Sequence, residues 1–549
     1  VYFSTTHRMT MKARIIPSLL SIQYFLSFLT VTSGYVQSGL PGPTHRAWLK
    51  EMTSEVCDTA PGELSEEMCN KAPQLLSAWA QNPYVRHNHA NKRKNQNSNN
   101  SNDNFEIFPH HGKECAMFCE RLLKRLVDER RAGNTNAIAS TQSYNCLIDV
   151  WSRSGERGVA AQRAEEIVMG MQDAYAAGEI SVQPDVESFR LVLRAWSQAA
   201  HKGEEEYAPH RALRLLQWMA NLFESGQNDL LQPDADCFDI VLSAWVKSNH
   251  ENAPRKTEEI IMFMDRLYTN GNELAKPTRM HFNKVLAAWS KSNHHGIAGP
   301  KRAEDILNHI IVRANDDPHL SPNIATYSAV AAAWAKSGHD DCGRKAEGIL
   351  KLVEQRFRVH NDVYCTPDTI LYNMVIDSHA KSPSKKSHLR ARAVLDRQIS
   401  MLKKGNKKCK PDVYSFTSVL ASCASLHGAA TKKEKLQAFE IAQSTFLEMC
   451  RSNVTPNHVT YGTMLKACGR LLPPGKERRR YTREYFRKAC QFGCVGTMVM
   501  NRLEEAASPA QLKSLLNGHR KDSLPEEWTT AVPIFEKRKM ASGKSSFRP

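Results

Sequence analysis

An internal repeat constrains this chain more than any other feature. A recurring pattern restarts at Thr141, Val186, Ala235, Arg279, Ile324, Thr369, Val413 and His458, at intervals of 44 to 49 residues. Counting each start as position 1, position 4 is always aromatic: Tyr144, Phe189, Phe238, Phe282, Tyr327, Tyr372, Phe416 and Tyr461. Positions 7 and 8 carry aliphatic pairs such as Val192/Leu193 and Val375/Ile376. Position 11 is Trp151, Trp196, Trp245, Trp289 and Trp334, then His379, Cys423 and Cys468. Offsets 4, 7, 8 and 11 share one face of a 3.6-residue helix. Position 10 stays small, as in Ala195, Ala288 and Ser422, which lets a neighbouring helix approach closely.

A second helical pattern follows each first one, as in "RAEEIVMGM" from Arg163, "RAEDILNHI" from Arg302 and "KAEGILKLV" from Lys345. Each segment then closes on proline and a short polar residue, from Pro184-Asp185 to Pro456-Asn457. Proline stops the second helix, and Asp, Asn or Thr suits the start of the next one. One hairpin cannot bury its apolar stripe alone, whereas stacked neighbours bury it for each other. The expected fold class is therefore all-α: an α-solenoid superhelix of tandem helix-turn-helix repeats.

The expected layout has a targeting leader at 1–40 and a degenerate first repeat at 41–140. In that repeat "APQLLSAWAQNP" from Ala72 supplies the first helix and "KECAMFCERLLKRLVDER" from Lys113 the second. The asparagine-rich stretch 82–112 between them has no means of packing and reads as a disordered loop. Eight repeats occupy 141–493, and 494–549 form a tail. In the leader, Lys12 and Arg14 precede an uncharged stretch, 15–32, and the first acidic residue is Glu51. That pattern suits a signal-peptide-like leader. Combined with the repeat array it predicts an organelle, a plastid first and a mitochondrion as the alternative, with no membrane segment in the mature form.

A first helix such as "TILYNMVIDSHAKS" from Thr369, in an array closing on "PD" or "PN", resembles the pentatricopeptide repeat family. The likeness covers residues 141–470. The departure is length, since the family's unit has about 35 residues; the extra residues fall in the turn between the helices and near the end of the second helix. The resemblance implies a single-stranded RNA partner, one base per repeat. Position 5 and the closing residue would meet the base edge, and position 2 would wedge between bases. On that basis Asn145/Asp185 and Asn373/Asp412 read uracil and Asn283/Asn323 a pyrimidine. Ser328/Asp368 reads guanine and Thr417/Asn457 adenine, whereas Arg190/Asp234 and Asp239/Thr278 fit no usual pair. The implied site is 5′-U-N-N-Y-G-U-A-3′. The wedges are Met280, Ala325, Ile370, Tyr414 and Val459.

Helical spacing agrees that these positions are free, because 2, 5 and 13 lie off the core stripe. Amides, hydroxyls and carboxylates can read the edges of unstacked bases. Position 13 holds Arg153, Lys247, Lys291, Lys336, Lys381 and Arg470. One cation per repeat along one edge can track phosphates; alone, each would equally suit the dipole at a helix end. A formal charge of +17 makes a polyanionic partner reasonable.

Catalysis has little footing. There is no C-x-x-C, no H-x-E beside one, no glycine-rich phosphate loop and no clustered carboxylate set beyond the array. No cofactor, metal or catalytic residue is expected. Cysteines within the repeated helix read as buried reduced thiols, and the pairs His110/His111 and His294/His295 as solvated loop residues. "KERRRYTREYFRK", 476–488, reads as the last second helix or an extra RNA-contacting face. The alternative to RNA is a protein-binding scaffold in a ribosomal or RNA-processing complex, favoured locally by Glu187 and Asp239, whose charges would repel phosphate.

Overall fold

The computed structural model describes residues 43–60, 62–81, 111–201, 206–291, 296–360, 362–382, 384, 386–426, 430–519 and 523–533. The leader, residues 82–110 of the asparagine-rich insert and the pair His294/His295 lie outside the described residues. Among the described residues every regular element is helical and none is a strand. No described helix is long and apolar enough to cross a membrane. The chain divides into two compact units between Pro184 and Asp185.

The first unit holds α1 (Pro43–Asp58), α2 (Glu66–Gln81), α3 (His111–Arg131), α4 (Thr141–Arg153) and α5 (Arg157–Ala176). Helices α2 and α3 pack as a hairpin under α1, and both pack against α4. Trp79 is fully buried between them, its indole Nε1 donating to Thr53 Oγ1 at 3.0 Å. That hydrogen bond lets a large polar-tipped ring be buried without leaving a donor unpaired.

The second unit is a run of hairpins: α6 (Val186–Ala199) with α7 (Ala208–Glu224), α8 (Ala235–Ser248) with α9 (Ala253–Thr269), and α10 (Arg279–Lys291) with α11 (Ala298–Asp316). It continues through α12 (Ile324–Lys336) with α13 (Cys342–His360), α14 (Thr369–Lys381) with α15 (Ser387–Lys403), and α16 (Val413–Ala424) with α17 (Lys432–Arg451). The last pair is α18 (His458–Leu471) with α19 (Lys476–Gln491), followed by α20 (Thr497–Ala506) and α21 (Pro509–Leu516). Each first helix packs along the one before it, and each second helix packs against the next first helix. This is the expected all-α solenoid. Position 4 is buried throughout this unit, as are Trp196, Trp245 and Trp334 at position 11. Each large side chain so placed contributes about 1.5–3 kcal/mol. Helix α20 packs on α18 and buries Val499, Met500 and Leu503, covering the face the last hairpin would otherwise leave exposed.

The additional length has a structural use. Several second helices end in a 3₁₀ turn, at Ile180–Val182, Glu273–Ala275, Pro318–Leu320, Val363–Cys365 and Lys407–Cys409. Except at Pro456, the residue two before each closing proline is a buried plug: Val182, Leu231, Ala275, Leu320, Cys365 and Cys409. Cys365 Sγ donates to Pro322 O and Cys409 Sγ to Pro367 O, both at 3.1 Å, tying each turn to the junction of the repeat before. Burial pushes both thiols up to about 12, so they remain protonated.

The repeat beginning at Thr369 departs from the tryptophan pattern. His379 takes position 11 and lies 3.3 Å from Glu347 Oε2 on α13. Arg397 of α15 donates to Glu347 Oε1 at 3.1 Å and to Glu354 Oε2 at 2.7 Å, and Tyr372 donates to Glu354 Oε1 at 2.6 Å. Gly343 makes room for the imidazole, since a Cβ there would overlap the His379 ring.

Candidate nucleic-acid interface

The residue that closes one repeat is the N-cap of the next first helix. The side chains of Asp185, Asp234, Asn323, Asp368, Asp412 and Asn457 accept from the backbone N–H three residues on, at 2.8 to 3.1 Å. Thr278 is the exception: its backbone N–H donates to His281 Nδ1 at 3.0 Å. An N-cap uses one side-chain acceptor, and the second polar atom of Asp or Asn stays available at the mouth of the junction.

Position 5 comes to that same junction from the preceding first helix. Asn373 Nδ2 donates to Asp412 Oδ1 at 3.0 Å, and Ser415 Oγ donates to Asn373 Oδ1 at 2.5 Å. Thr326 Oγ1 donates to Asn283 Oδ1 at 2.7 Å beside the Asn323 cap. Thr417 Oγ1 lies 3.0 Å from Thr460 Oγ1, which belongs to the Asn457 cap. Ser328 is half-buried, and Asp368 caps α14. Asn145 is buried on α4 of the first unit, and Asp185 caps α6 of the second.

The two pairs that fit no base are closed by ion pairs. Arg190 donates to Asp234 Oδ2 at 2.5 Å and also pairs with Glu187. Lys284 Nζ reaches Asp239 Oδ1 at 2.5 Å and donates to Ser243 Oγ at 2.5 Å. Glu187 and Asp239, the two acidic departures, therefore each have a cation.

Position 2 forms an exposed apolar series beside these pairs. Met280 is 65% exposed, Ile370 61% and Tyr414 53%; Ala325 is exposed and Val459 half-buried. The spacing places them off the core stripe, and the first three remain more than half exposed among the described residues.

The position-13 cations do two things. Arg153 donates to Ala80 O at 2.5 Å and pairs with Asp149; Lys247 donates to Ser197 Oγ at 3.3 Å, and Lys291 to Val246 O at 3.0 Å. These contacts reach the C-terminal end of the preceding first helix, where a cation meets unsatisfied carbonyls and the negative end of the dipole. Lys381 pairs with Asp377 at 2.7 Å. Lys336 and Arg470 are exposed, with no hydrogen bond or ion pair among the described residues. Partial desolvation by the surrounding protein, then the like charges of Lys291 and Lys381, holds the exposed Lys336 ammonium below the ordinary lysine range. Burial, then Lys284, does the same at Lys247. Lys291, Lys336 and Lys381 are thus close enough to interact, a stretch of concentrated positive potential.

Sequence spacing did not reveal position 3. Ser188, Thr326, Ser415 and Thr460 complete capping boxes, and Thr326 and Ser415 also reach the position-5 residue of the repeat before. The recurrent Ser/Thr three residues after the closing residue is the signal that could have found them. Among the described residues, no cluster of three or more His, Cys, Asp or Glu is placed to hold a metal ion.

Residues 403–470 match the pentatricopeptide repeat domain family. No curated protein matches the chain. Among solved structures, the crystal structure of the pentatricopeptide repeat protein PPR10 from maize is similar, with a TM-score of 0.40 and 17% identity. That likeness covers 97% of this chain, and the chain spans 65% of the length of the maize one. The matched segment, 403–470, takes in the Asp412 and Asn457 junctions, and the hairpin it contains recurs in register through the second unit: residues 403–470 are similar to the pentatricopeptide repeat domain.

Proposed function

We propose that this chain binds single-stranded RNA along its first helices, one base per repeat, and serves processing, stabilisation or translation of an organellar transcript. Bases enter between successive position-2 side chains and meet the position-5 and closing pair beneath. Asn283/Asn323, Ser328/Asp368, Asn373/Asp412 and Thr417/Asn457 read a Y-G-U-A core. The chain itself performs no chemistry on the RNA.

The observation that carries this reading is the juxtaposition at repeats four to seven. Exposed Met280, Ile370 and Tyr414 stand beside junctions whose polar pairs are already oriented by capping hydrogen bonds. Apolar side chains facing solvent next to preorganised amides and carboxylates suit unstacked bases, which offer an apolar face and a polar edge. The Lys291–Lys336–Lys381 row supplies positive potential for phosphates. Lys284 and Arg190 neutralise the carboxylates of Asp239 and Glu187, which removes the local argument for a peptide ligand. An organelle remains the proposed location on the strength of the leader, with a plastid preferred to a mitochondrion.

The test is selection of a random single-stranded RNA pool by residues 41–549 at two salt concentrations. Enrichment of pyrimidine-G-U-A, with log affinity falling by about 0.7 per decade of salt for each phosphate engaged, is the expected result. Absence of binding at low salt would refute the proposal.

A further inference from the structure

Several arginines on the second helices are committed to carboxylates of neighbouring repeats. Arg302 pairs with Glu258 at 2.7 Å, Arg313 with Asp265 at 2.7 Å, Arg392 with Glu448 at 2.5 Å and Arg397 with Glu354 at 2.7 Å. Helix α19 instead gathers unpaired cations on one face. Lys476, Arg479, Arg480, Arg483 and Arg487 are all exposed, and none has a carboxylate within ion-pair distance among the described residues. At 3.6 residues per turn these five fall within about 100° of arc and extend about 16 Å along the helix. The opposite face buries Thr482, Tyr485, Phe486 and Ala489, so packing fixes the basic face outward.

Two other cations of α19 show what a structural role looks like there. Arg478 donates to Ala506 O at 2.9 Å at the end of α20, and Lys488 pairs with Glu484 at 2.8 Å. Among the described residues the five exposed cations make no such hydrogen bond or ion pair, although Arg480 lies over the Tyr481 ring at 5.4 Å. Like charges at i, i+4 spacing repel and cost stability in an isolated helix. A face that stability disfavours and that folding leaves without carboxylate partners calls for an external anion.

We infer that this face of α19 is a second, sequence-independent RNA site that grips the phosphates of a paired RNA helix. An outward-facing helix surface has no groove in which to unstack bases, so only the backbone is within its reach. Guanidinium groups match phosphate oxygens bidentately, and four of the five cations are arginines. Paired RNA is recognised largely by shape and by backbone contacts, which asks for a rigid row of cations. The site lies on the second-helix layer, apart from Asn373 and Asp412 on the first helices and their junctions. An RNA with a single-stranded target beside a stem could occupy both.

The inference stands apart from the base-reading proposal, because its probe offers no unpaired base. The full chain is titrated with a fully paired RNA hairpin of mixed sequence, and again after Arg479→Gln, Arg480→Gln, Arg483→Gln and Arg487→Gln together. The wild type is expected to bind the hairpin. The fourfold variant should lose at least tenfold in affinity, with the salt slope shallower by about 3. Its thermal melt should not change, and its binding of the single-stranded selected site should change far less. Equal hairpin binding by both proteins, with the same salt slope, would overturn the inference. So would arginine-dependent binding to phosphatidylserine vesicles with no hairpin binding at low salt, which would assign the face to a lipid surface.

Discussion

The guanidinium of Arg190 donates to the Asp234 carboxylate at 2.5 Å, closing the polar pair of the second repeat upon itself. Everywhere else in the second unit that junction holds smaller side chains. With Arg190 bridging to Asp234 and Glu187, no polar edge is left for a base, and the position should be read as N. Replacing Arg190→Asn recreates the Asn/Asp combination of Asn373 and Asp412. The expected outcome is a new uracil preference at the second position of the selected RNA. An unchanged profile there would mean the ion pair is not what silences the repeat.

Capping and base reading share one residue, and the two roles separate by substitution. Asp412→Asn keeps an N-cap of similar strength, so stability should hold while uracil selection relaxes to pyrimidine, as for Asn283/Asn323. Asp412→Ala removes the acceptor for Ser415 N at 2.8 Å and should cost about 1 kcal/mol as well as base preference. Thermal melts and RNA selection on the two variants check this together.

Glycines on α13 give a paired test of the packing around His379. Gly348 has open space around its Cβ position, so Gly348→Ala should stabilise by up to about 1 kcal/mol through helix propensity. Gly343→Ala gains the same propensity but drives a methyl into the buried His379 ring, and it should lower the Tm. If both variants melt above the wild type, the close approach of α13 to α14 is wrong.

The His379 imidazole 3.3 Å from Glu347, opposed by burial, holds that carboxyl well below the ordinary range, at about 2. A depressed carboxylate stabilises the fold above its unfolded value, near 4.5, and that contribution disappears as pH falls toward 2. It amounts to about 3 kcal/mol as an order of magnitude. Glu347→Gln should therefore lower the neutral-pH Tm and flatten the fall in stability between pH 4.5 and 2. Urea titrations across that window measure it; parallel acid limbs for both proteins would contradict the account.

The helical register was legible in the sequence because burial imposes a period on Tyr372, Val375, Ile376 and their counterparts. The same spacing marked Met280, Ile370 and Tyr414 as off the core. What spacing could not supply was partners. Lys284 meets Asp239, and Arg302 meets Glu258, across more than forty residues, and a one-dimensional pattern says which face a side chain is on but not what stands opposite. The 3₁₀ turns were missed for a related reason. One buried residue two before proline, such as Cys365 or Leu320, is too short a run to show a period.

The measurement that tests the central claim most directly is a change of base by design. Asn373→Thr with Asp412→Asn gives the sixth repeat the Thr/Asn pair of Thr417 and Asn457, and the N-cap at that junction survives. RNA selection on this variant should exchange uracil for adenine at the sixth position of U-N-N-Y-G-U-A and leave the other positions as they were. Selection of the same sequence by variant and wild type would contradict base reading at these junctions.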